Sequence, residues 1–472
     1  MSTWPAIDEI ARDVQTKKTS AVEQVEKALQ SIESNKDFDA IISLTKDRAL
    51  KRAKEIDARV AKGDQVGRLS GVPFIAKDNF LTLGGDTTAA SNILKGFEAP
   101  YQATAIELLE NEGAICVAKS NLDAFAHGSS TENSDFMTTR NPHDKKRVPG
   151  GSSGGSATAV MLNMVPFALG TDTGGSIRQP ASFTGAVGYK PTYGLVSRSG
   201  VIAMASSTDV VGPITKTVKD AALVLDVISG QDPLDSTTIE RDHTPYVEYE
   251  DVKTKKIGVI KEYFKNLDPA VEKIIRARID ALEKAGHQIS TISLPSLPLA
   301  LAVYYIICPA EVSSNLSRYD GQRYGFSDKM AKDLTQSYEN SRSTGFGEEA
   351  KRRIMIGTYV LSSGYYDAYY KKAQTVRTKL INEFNEAFKK VDFLVGPTAP
   401  STAFKIGENA NDPVQMYLND IMTVAANLVG VPSISVPVGE VSGLPIGLQI
   451  MAQQKRDRAL LSIANETERI VK

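Results

Sequence analysis

The sequence has little cysteine, little histidine and no excess of either charge. Its 472 residues include two cysteines, Cys116 and Cys308, and four histidines. Two cysteines provide neither a disulfide framework nor the closely spaced Cys and His ligands of a metal site, so we expect no metal in this chain and a reducing compartment. The net charge of −1 lacks the basic excess typical of a chain that binds nucleic acid by itself.

Long apolar runs and targeting signals are also missing. No stretch approaches the roughly 20 consecutive apolar residues of a membrane helix. The beginning of the sequence lacks the basic and apolar regions of a secretory signal. The balance of 42% apolar and 24% charged residues is that of a soluble globular protein. We therefore expect a cytoplasmic protein that does not bind a membrane.

The apolar pattern along the chain predicts alternating strands and helices. Residues from about 1 to 65 are predicted to be helical, a strand–helix–strand unit is predicted at 256–292, and residues 300–390 are predicted to be mainly helical. Such alternation is typical of an α/β protein whose sheet is covered by helices on both faces. No internal repeat is visible, and we expect a single domain over residues 1–472.

Two clusters of glycine and serine stand out in the central part of the chain, residues 70–220. They are GGSSGGS at 150–156 and GTDTGGSIR at 170–178. Glycine lets the backbone approach a ligand closely, and successive N–H groups in such a turn can bind an anion. If that anion is the tetrahedral intermediate of acyl transfer, the turn is an oxyanion hole. The candidate donors are the backbone N–H groups of Thr173, Gly174, Gly175 and Ser176.

A lysine that follows a predicted strand is the candidate base. The apolar run GVPFIA at 71–76 is typical of a buried strand, and Lys77 comes directly after it. Burial favours the neutral form of a lysine, and a neutral amine can take the proton of a serine hydroxyl. A second serine between the lysine and the nucleophile can relay this proton. Three of the four histidines stand in polar, loop-like contexts and are weaker candidates.

The two clusters, Lys77 and the segment GYKPTYG at 188–194 together resemble the amidase signature family. The spacing of the lysine and the serines agrees with the pattern of that family. The resemblance implies an amidase-signature fold with a large mixed sheet, and a catalytic triad of two serines and a lysine. It makes Ser176 the nucleophile, Ser152 the relay serine on a cis peptide, and Lys77 the base.

Further segments resemble, nearly from end to end, the A subunits of glutamyl-tRNA(Gln) amidotransferases. They include PAEVSSNL at 309–316, YDGQRYG at 319–325 and SSGYYDAYY at 362–370. In that family a tyrosine, an arginine and an aspartate hold free glutamine, and the resemblance assigns these roles to Tyr304, Arg353 and Asp420. A guanidinium suits the α-carboxylate of glutamine, and a carboxylate suits its α-ammonium. The neighbouring Tyr305 and Arg352 leave the assignment open by one residue.

The resemblance implies the glutaminase subunit of a larger enzyme. Such a subunit hydrolyses glutamine to glutamate and ammonia, and a partner subunit uses the ammonia to transamidate Glu-tRNA(Gln), or also Asp-tRNA(Asn). The family implies a heterotrimer with B and C subunits, charged tRNA bound mainly by the B subunit, and ATP and Mg²⁺ on the partner rather than on this chain. The sequence contains no Gly-x4-Gly-Lys-[Ser/Thr] motif, which agrees with ATP chemistry elsewhere.

Alternative interpretations stay open. A free-standing amidase acting on small carboxamides would share Lys77 and the two serines but would not need Arg353 or Asp420. The residues at 151–155 formally fit the Gly-x-Ser-x-Gly motif of α/β-hydrolases, although no downstream histidine follows a convincing strand. His127, which precedes the polar segment 128–131, has no assigned role.

Overall fold

The computed structural model describes residues 3–265, 267–409 and 412–471. Strands and helices alternate along these ranges, as the apolar pattern predicts. The strands are β1 (Ile41–Leu44), β2 (Pro73–Lys77), β3 (Ile115–Ser120), β4 (Phe167–Asp172), β5 (Val187–Lys190), β6 (Val210–Thr215), β7 (Lys256–Ile260), β8 (Gln288–Ile292), β9 (Phe393–Pro397), β10 (Ser433–Val441) and β11 (Leu444–Ala452). The helices are α1 (Ile7–Gln15), α2 (Ala21–Ser34), α3 (Lys46–Lys62), α4 (Thr104–Asn111), α5 (Gly154–Met161), α6 (Arg178–Thr184), α7 (Val218–Ile228), α8 (Pro269–Lys284), α9 (Ala300–Asn315), α10 (Leu334–Gly345), α11 (Glu348–Leu361), α12 (Lys372–Phe388), α13 (Pro413–Leu418), α14 (Val424–Val429) and α15 (Asp457–Val471).

Among the described residues, eleven strands form one mixed sheet in the order β1-β3-β2-β4-β6-β5-β10-β11-β9-β7-β8. Strand β2 is parallel to β3 and β4, whereas β6 is antiparallel to β4 and β5. Strands β2, β3, β4, β6 and β9 are buried at every residue. Burial of both side-chain sets of a strand requires cover on both faces of the sheet. The prediction of an α/β fold with a large mixed sheet is confirmed.

The parallel pairing of β2 and β4 positions the candidate site. In this register Ala76 lies opposite Leu169, so the chain leaves both strands at the same edge of the sheet. Lys77 therefore ends its strand beside the last residues of β4, where the second Gly/Ser cluster, 170–178, begins. In the core below, the rings of Phe74 and Phe167 stack with their centroids 5.2 Å apart.

The N-terminal region departs from the prediction of helix over residues 1–65. It contains α1, α2 and α3, but also β1, which pairs antiparallel with β3 at the edge of the sheet. The four residues of β1 are half-buried or exposed. A short apolar run of this kind has no period that separates strand from helix, so the pattern alone could not identify it. One sheet runs through all regions distinguished in the sequence, and a single domain over 1–472 stays a prediction.

One helical stretch, Leu297–Arg318, is long and apolar enough by length and composition to cross a membrane. It contains α9, and half of its most apolar window is buried inside the protein. Helix α9 packs against α11, α12 and α14 and brings Tyr304 towards the candidate site. These contacts are those of a core helix of a folded protein.

Candidate active site

Lys77 ends β2 with its amine facing Ser152, the serine to which the resemblance assigns the relay. The Nζ atom lies 2.8 Å from Ser152 Oγ and 2.9 Å from Thr171 Oγ1. The lysine is completely buried. Burial lowers the pKa of Lys77 to about 7, although three buried carboxylates nearby oppose the shift. At neutral pH a large share of the amine is therefore uncharged and able to accept a proton.

The contacts of Lys77 with Thr171 orient the amine. Besides Oγ1, the carbonyl oxygen of Thr171 lies 3.4 Å from Nζ. A neutral amine carries two N–H groups, and Thr171 offers an acceptor for each. With both hydrogens directed at Thr171, the lone pair faces Ser152, whose hydroxyl can donate to it. Sequence reasoning missed Thr171, although it lies within the second Gly/Ser cluster.

The backbone brings Ser152 and Ser176 together. The N–H of Ser153 donates to the carbonyl oxygen of Ser176 at 3.1 Å, and the peptide between Gly151 and Ser152 is cis, as the resemblance implies. Ser152 is completely buried, whereas Ser176 keeps 8% of its surface exposed. An enclosed base and relay beside a reachable hydroxyl is the arrangement that nucleophilic attack by Ser176 requires. In the Gly-x-Ser-x-Gly motif the nucleophile would be Ser153, but its hydroxyl donates to the carbonyl oxygen of Thr171 at 3.2 Å and not to a histidine, so the α/β-hydrolase interpretation is wrong.

Not every backbone N–H group proposed as an oxyanion donor is free to bind a ligand. Gly175 has a φ of 136°, and its N–H donates to the Asp172 carboxylate at 2.8 Å. In this structure Gly175 is therefore not a free donor, which departs from the prediction of four donors. For the N–H groups of Thr173, Gly174 and Ser176, no acceptor is present among the described residues. These three remain the candidates.

An ion pair beneath the turn holds it in place. Asp172 accepts from the Nε and Nη2 atoms of Arg178 at 3.0 and 2.9 Å, and both side chains are completely buried. Burial alone would raise the pKa of Asp172, but the guanidinium outweighs burial and lowers it to about 2. Nη2 of Arg178 also donates to Asn427 Oδ1 at 2.6 Å. Asp172 is thus ionised at any working pH and keeps the backbone of the turn fixed.

The three residues implied for glutamine binding converge on this turn from separate elements. Tyr304 lies on α9, Arg353 on α11, and Asp420 in the segment between α13 and α14; all three are buried. The ring of Tyr304 occupies the space beside Gly174, where an added Cβ would lie 2.7 Å from its Cζ atom. A Cβ at Gly175 would lie 2.1 Å from Thr423 Oγ1. Only glycine fits at these two positions.

The structure separates Arg353 from its neighbour Arg352. The side chain of Arg352 is 44% exposed and forms a surface ion pair with Glu349. Arg353 points inward; its Nε donates to Glu349 Oε1 at 2.8 Å, and its guanidinium carbon lies 5.4 and 5.7 Å from the ring centroids of Tyr305 and Tyr417, which stack on each other. Its Nη2 atom has no acceptor within the described part of the chain. Arg353 is therefore the arginine with a free donor at the site.

Tyr304 and Tyr305 both reach the site, in different places. Tyr304 contacts the catalytic turn at Gly174, and the hydroxyl of Tyr305 donates to Asp420 Oδ2 at 2.9 Å. Burial raises the pKa of Asp420 to about 7, while this hydrogen bond and the charge of Arg353 oppose the shift. A cationic group placed beside Asp420 would stabilise its ionised form.

His127 is completely buried, and neither ring nitrogen has a hydrogen-bond partner among the described residues. Burial, and after it the positive charge of Arg353, hold the pKa of His127 well below its usual value. Residue spacing alone carries no signal for this placement, because the proximity of His127 to Arg353 arises from the fold.

Comparison with known proteins places the chain among amidases. The model of the Amidase family matches residues 23–461. The chain is 52% identical over 462 residues to the A subunit of the glutamyl-tRNA(Gln) amidotransferase of Thermoanaerobacter pseudethanolicus, covering 97% of this chain and 94% of that protein. The crystal structure of the corresponding A subunit from Thermotoga maritima is similar at 41% identity with a TM-score of 0.77, covering 94% of this chain and 90% of that one.

A bacterial aryl acylamidase of the amidase signature family is also similar in structure, with a TM-score of 0.88 at 25% identity, over 99% of this chain and 96% of that one. The fold is thus shared by enzymes with different substrates, whereas the high identity over the full length is to the amidotransferase A subunits. The chain belongs to the amidase family, and within it to the group of the glutamyl-tRNA(Gln) amidotransferase A subunits.

Proposed function

We propose that this chain is the glutaminase subunit of a tRNA-dependent amidotransferase. One observation carries the proposal: the buried pair of Lys77 and Ser152 lies beside the partly accessible Ser176, and the fold also brings a buried guanidinium, Arg353, and a buried carboxylate, Asp420, to the same tyrosine, Tyr305. A free α-amino acid has a carboxylate and an ammonium group, so these two charges match its two ends. Glutamine adds a side-chain carboxamide, the group that the hydroxyl of Ser176 would attack.

The first half of the reaction transfers the γ-glutamyl group to the enzyme. Ser176 Oγ attacks the side-chain carbonyl carbon of glutamine while its proton passes to Ser152, and the proton of Ser152 passes to Lys77. Free N–H groups of the turn stabilise the oxyanion that forms. The intermediate then collapses: the C–N bond breaks, the proton returns from Lys77 through Ser152 to the nitrogen, and ammonia leaves.

The second half regenerates the enzyme. A water molecule attacks the γ-glutamyl ester on Ser176 and gives its proton to the same relay. The ester C–O bond breaks, Ser176 recovers a proton, and glutamate leaves. The sum is one glutamine and one water consumed for one glutamate and one ammonia released, with no redox change. Lys77 acts first as a base, in its neutral form, and then as an acid, in its protonated form. Such a group works best with a pKa near the working pH, and burial lowers the pKa of Lys77 to about 7.

We further propose that the ammonia is used by partner subunits. The amidotransferase relatives are named as A subunits, which supports a multi-subunit enzyme. We expect a heterotrimer with B and C subunits in the cytoplasm, with ATP, Mg²⁺ and most contacts to charged tRNA on the B subunit. The net charge of −1 supports a chain that does not itself bind the tRNA backbone.

Replacement of the nucleophile tests the function. Ser176→Ala is expected to abolish ammonia release from glutamine while the chain still folds and still binds glutamine. Ser182→Ala removes another buried hydroxyl, one that accepts from the N–H of Gly447, and should keep most of the activity. Ammonia release is measured on the chain purified with its subunits, with and without charged tRNA and ATP. Full activity in Ser176→Ala would remove this serine from the mechanism.

A further inference from the structure

The imidazole of His127 is a buried polar group without a partner. Its own backbone is satisfied, since its N–H donates to the carbonyl oxygen of Ala124 at 3.0 Å and its carbonyl oxygen accepts from Asn133 Nδ2 at 2.9 Å. Both ring nitrogens, however, are enclosed and lack any hydrogen bond to the described residues. A buried polar group left unpaired costs about 1–3 kcal/mol, and such groups are rare in folded proteins. This favours a partner that the chain itself does not supply.

The loop that carries His127 connects the two halves of the candidate site. On one side its next residues contact neighbours of the catalytic serines: the carbonyl oxygen of Ser129 accepts from Gln179 Nε2 at 3.0 Å, and the backbone N of Ser130 closely approaches Gly151. On the other side the Ser129 hydroxyl donates to the carbonyl oxygen of Met416, on the segment that leads to Asp420. A ligand that spans the site therefore passes this loop.

Electrostatics identify which part of a ligand His127 can meet. The charge of Arg353 reaches the imidazole and opposes its protonation, so the ring is neutral, with one N–H donor and one acceptor. Among the described residues the remaining donor of Arg353, Nη2, is also unused. A cation beside a neutral N–H donor favours an anionic group that accepts from both. The Phe125 ring, 6.2 Å from the imidazole centroid to centroid, packs near its side.

We propose that His127 is a further substrate-binding residue, which donates a ring N–H to the α-carboxylate of glutamine held by Arg353. The inference rests on the proposed glutaminase function and deepens it. It makes His127 a determinant of selectivity for amides that carry an α-carboxylate over amides of the same length that lack one.

The test compares two substrates that differ only in that group. 4-Aminobutanamide keeps the amine and the carboxamide of glutamine but has no α-carboxylate. The full chain, purified with the subunits that accompany it, is assayed for ammonia release from both. In His127→Met the ratio of kcat/KM for glutamine to kcat/KM for 4-aminobutanamide should fall by roughly 10- to 100-fold, the value of a hydrogen bond to a charged group. Most of the loss should appear as a higher KM for glutamine.

Two further variants keep the test decisive. His127→Leu repeats the apolar replacement if the methionine variant does not fold, and His127→Asn, which retains an N–H donor, should restore part of the ratio. An unchanged ratio in the apolar variants, or an equal loss on both substrates, overturns the inference, because a purely structural histidine would affect both alike. If the wild-type chain releases no ammonia from glutamine, the proposed function fails first, and the two failures are thereby distinguished.

Discussion

The hydroxyl of Thr171 is expected to control the rate of the reaction through the orientation of Lys77. Thr171→Val removes Oγ1 at nearly constant volume. The Lys77 amine then loses its contact with Oγ1 at 2.9 Å and keeps, besides Ser152 Oγ, only the carbonyl oxygen of residue 171 at 3.4 Å. A buried donor left without its acceptor costs about 1–3 kcal/mol, and each 1.36 kcal/mol added to the barrier is tenfold in rate. We expect kcat to fall roughly 10- to 100-fold.

The KM for glutamine should change little in Thr171→Val, since Thr171 is buried beneath the turn and contacts none of the residues proposed to bind glutamine. The same substitution also deprives Asn79 Nδ2 of its acceptor at 3.0 Å, so the free energy of unfolding should fall as well, by about 1–3 kcal/mol. Steady-state ammonia release gives kcat and KM, and chemical denaturation gives stability. Thr171→Ser, which keeps the hydroxyl, is the matched control.

Wild-type kcat in a folded Thr171→Val protein would refute the reasoning. It would show that the direction of the Lys77 lone pair does not depend on this contact. A loss of kcat of equal size in Thr171→Ser would also contradict it, because the serine preserves the acceptor and removes only a methyl group.

Three other predictions follow from the site. First, kcat/KM for glutamine should rise with pH through about 7, because neutral Lys77 is the base and its protonated form, dominant below that pKa, is inactive; a flat profile from acid to neutral pH would contradict a lysine base. Second, Asp420→Asn should raise the KM for glutamine about 10- to 100-fold, by losing a charge-assisted contact with the α-ammonium, and an unchanged KM would instead favour a free-standing amidase of small carboxamides. Third, Arg178→Met should lower the free energy of unfolding by about 3–5 kcal/mol, because it leaves the buried carboxylate of Asp172 without its cation. Arg178→Lys, which keeps the charge, should lose less stability. Denaturation curves of Arg178→Met that coincide with those of wild type would show that the ion pair is not needed.

Local signals predicted much of the fold. The apolar run at 71–76 corresponds to β2, and the helix of the strand–helix–strand unit predicted at 256–292 corresponds to α8, which begins at Pro269 and is capped by Asp268. An apolar run and a helix cap involve only residues that are neighbours in sequence, so both can be recognised without the fold. Besides β1, strands β6 and β11 were not predicted, for opposite reasons. Strand β6 contains Pro213, which argues against a central strand, and its place between β4 and β5 is a tertiary property.

Strand β11 and its hairpin with β10 were missed although their signal is present. Val441 pairs with Leu444 across the two-residue turn Ser442–Gly443, and both turn residues have positive φ. A Ser-Gly dipeptide between two apolar runs is a turn signal of the kind found in tight hairpins. Because β11 is buried at every residue, it lacks the alternation that marks a half-exposed strand, and only the turn could have revealed it.

The candidate site was predictable where residue type and spacing carry the chemistry. Lys77, Ser152 and Ser176 follow from the resemblance, and the structure brings the lysine to the first serine. The role of Thr171, the engagement of the Gly175 N–H by Asp172, and the isolation of the His127 imidazole depend on where atoms lie in space. Thr171 and Gly175 lie within the second Gly/Ser cluster, but the cluster does not reveal which of its groups contact each other, and the sequence around His127 carries no signal for its placement.

The packing of Tyr304 against Gly174 has a consequence for engineering. Tyr304, which is proposed to bind glutamine, packs directly against Gly174 of the turn that is proposed to bind the oxyanion. There is no room between them for an additional methyl group. A larger side chain at 304 would push on the turn as well as reshape the cavity, and a side chain at 174 would displace the tyrosine. Redesign for bulkier amides at position 304 would therefore change selectivity and turnover together.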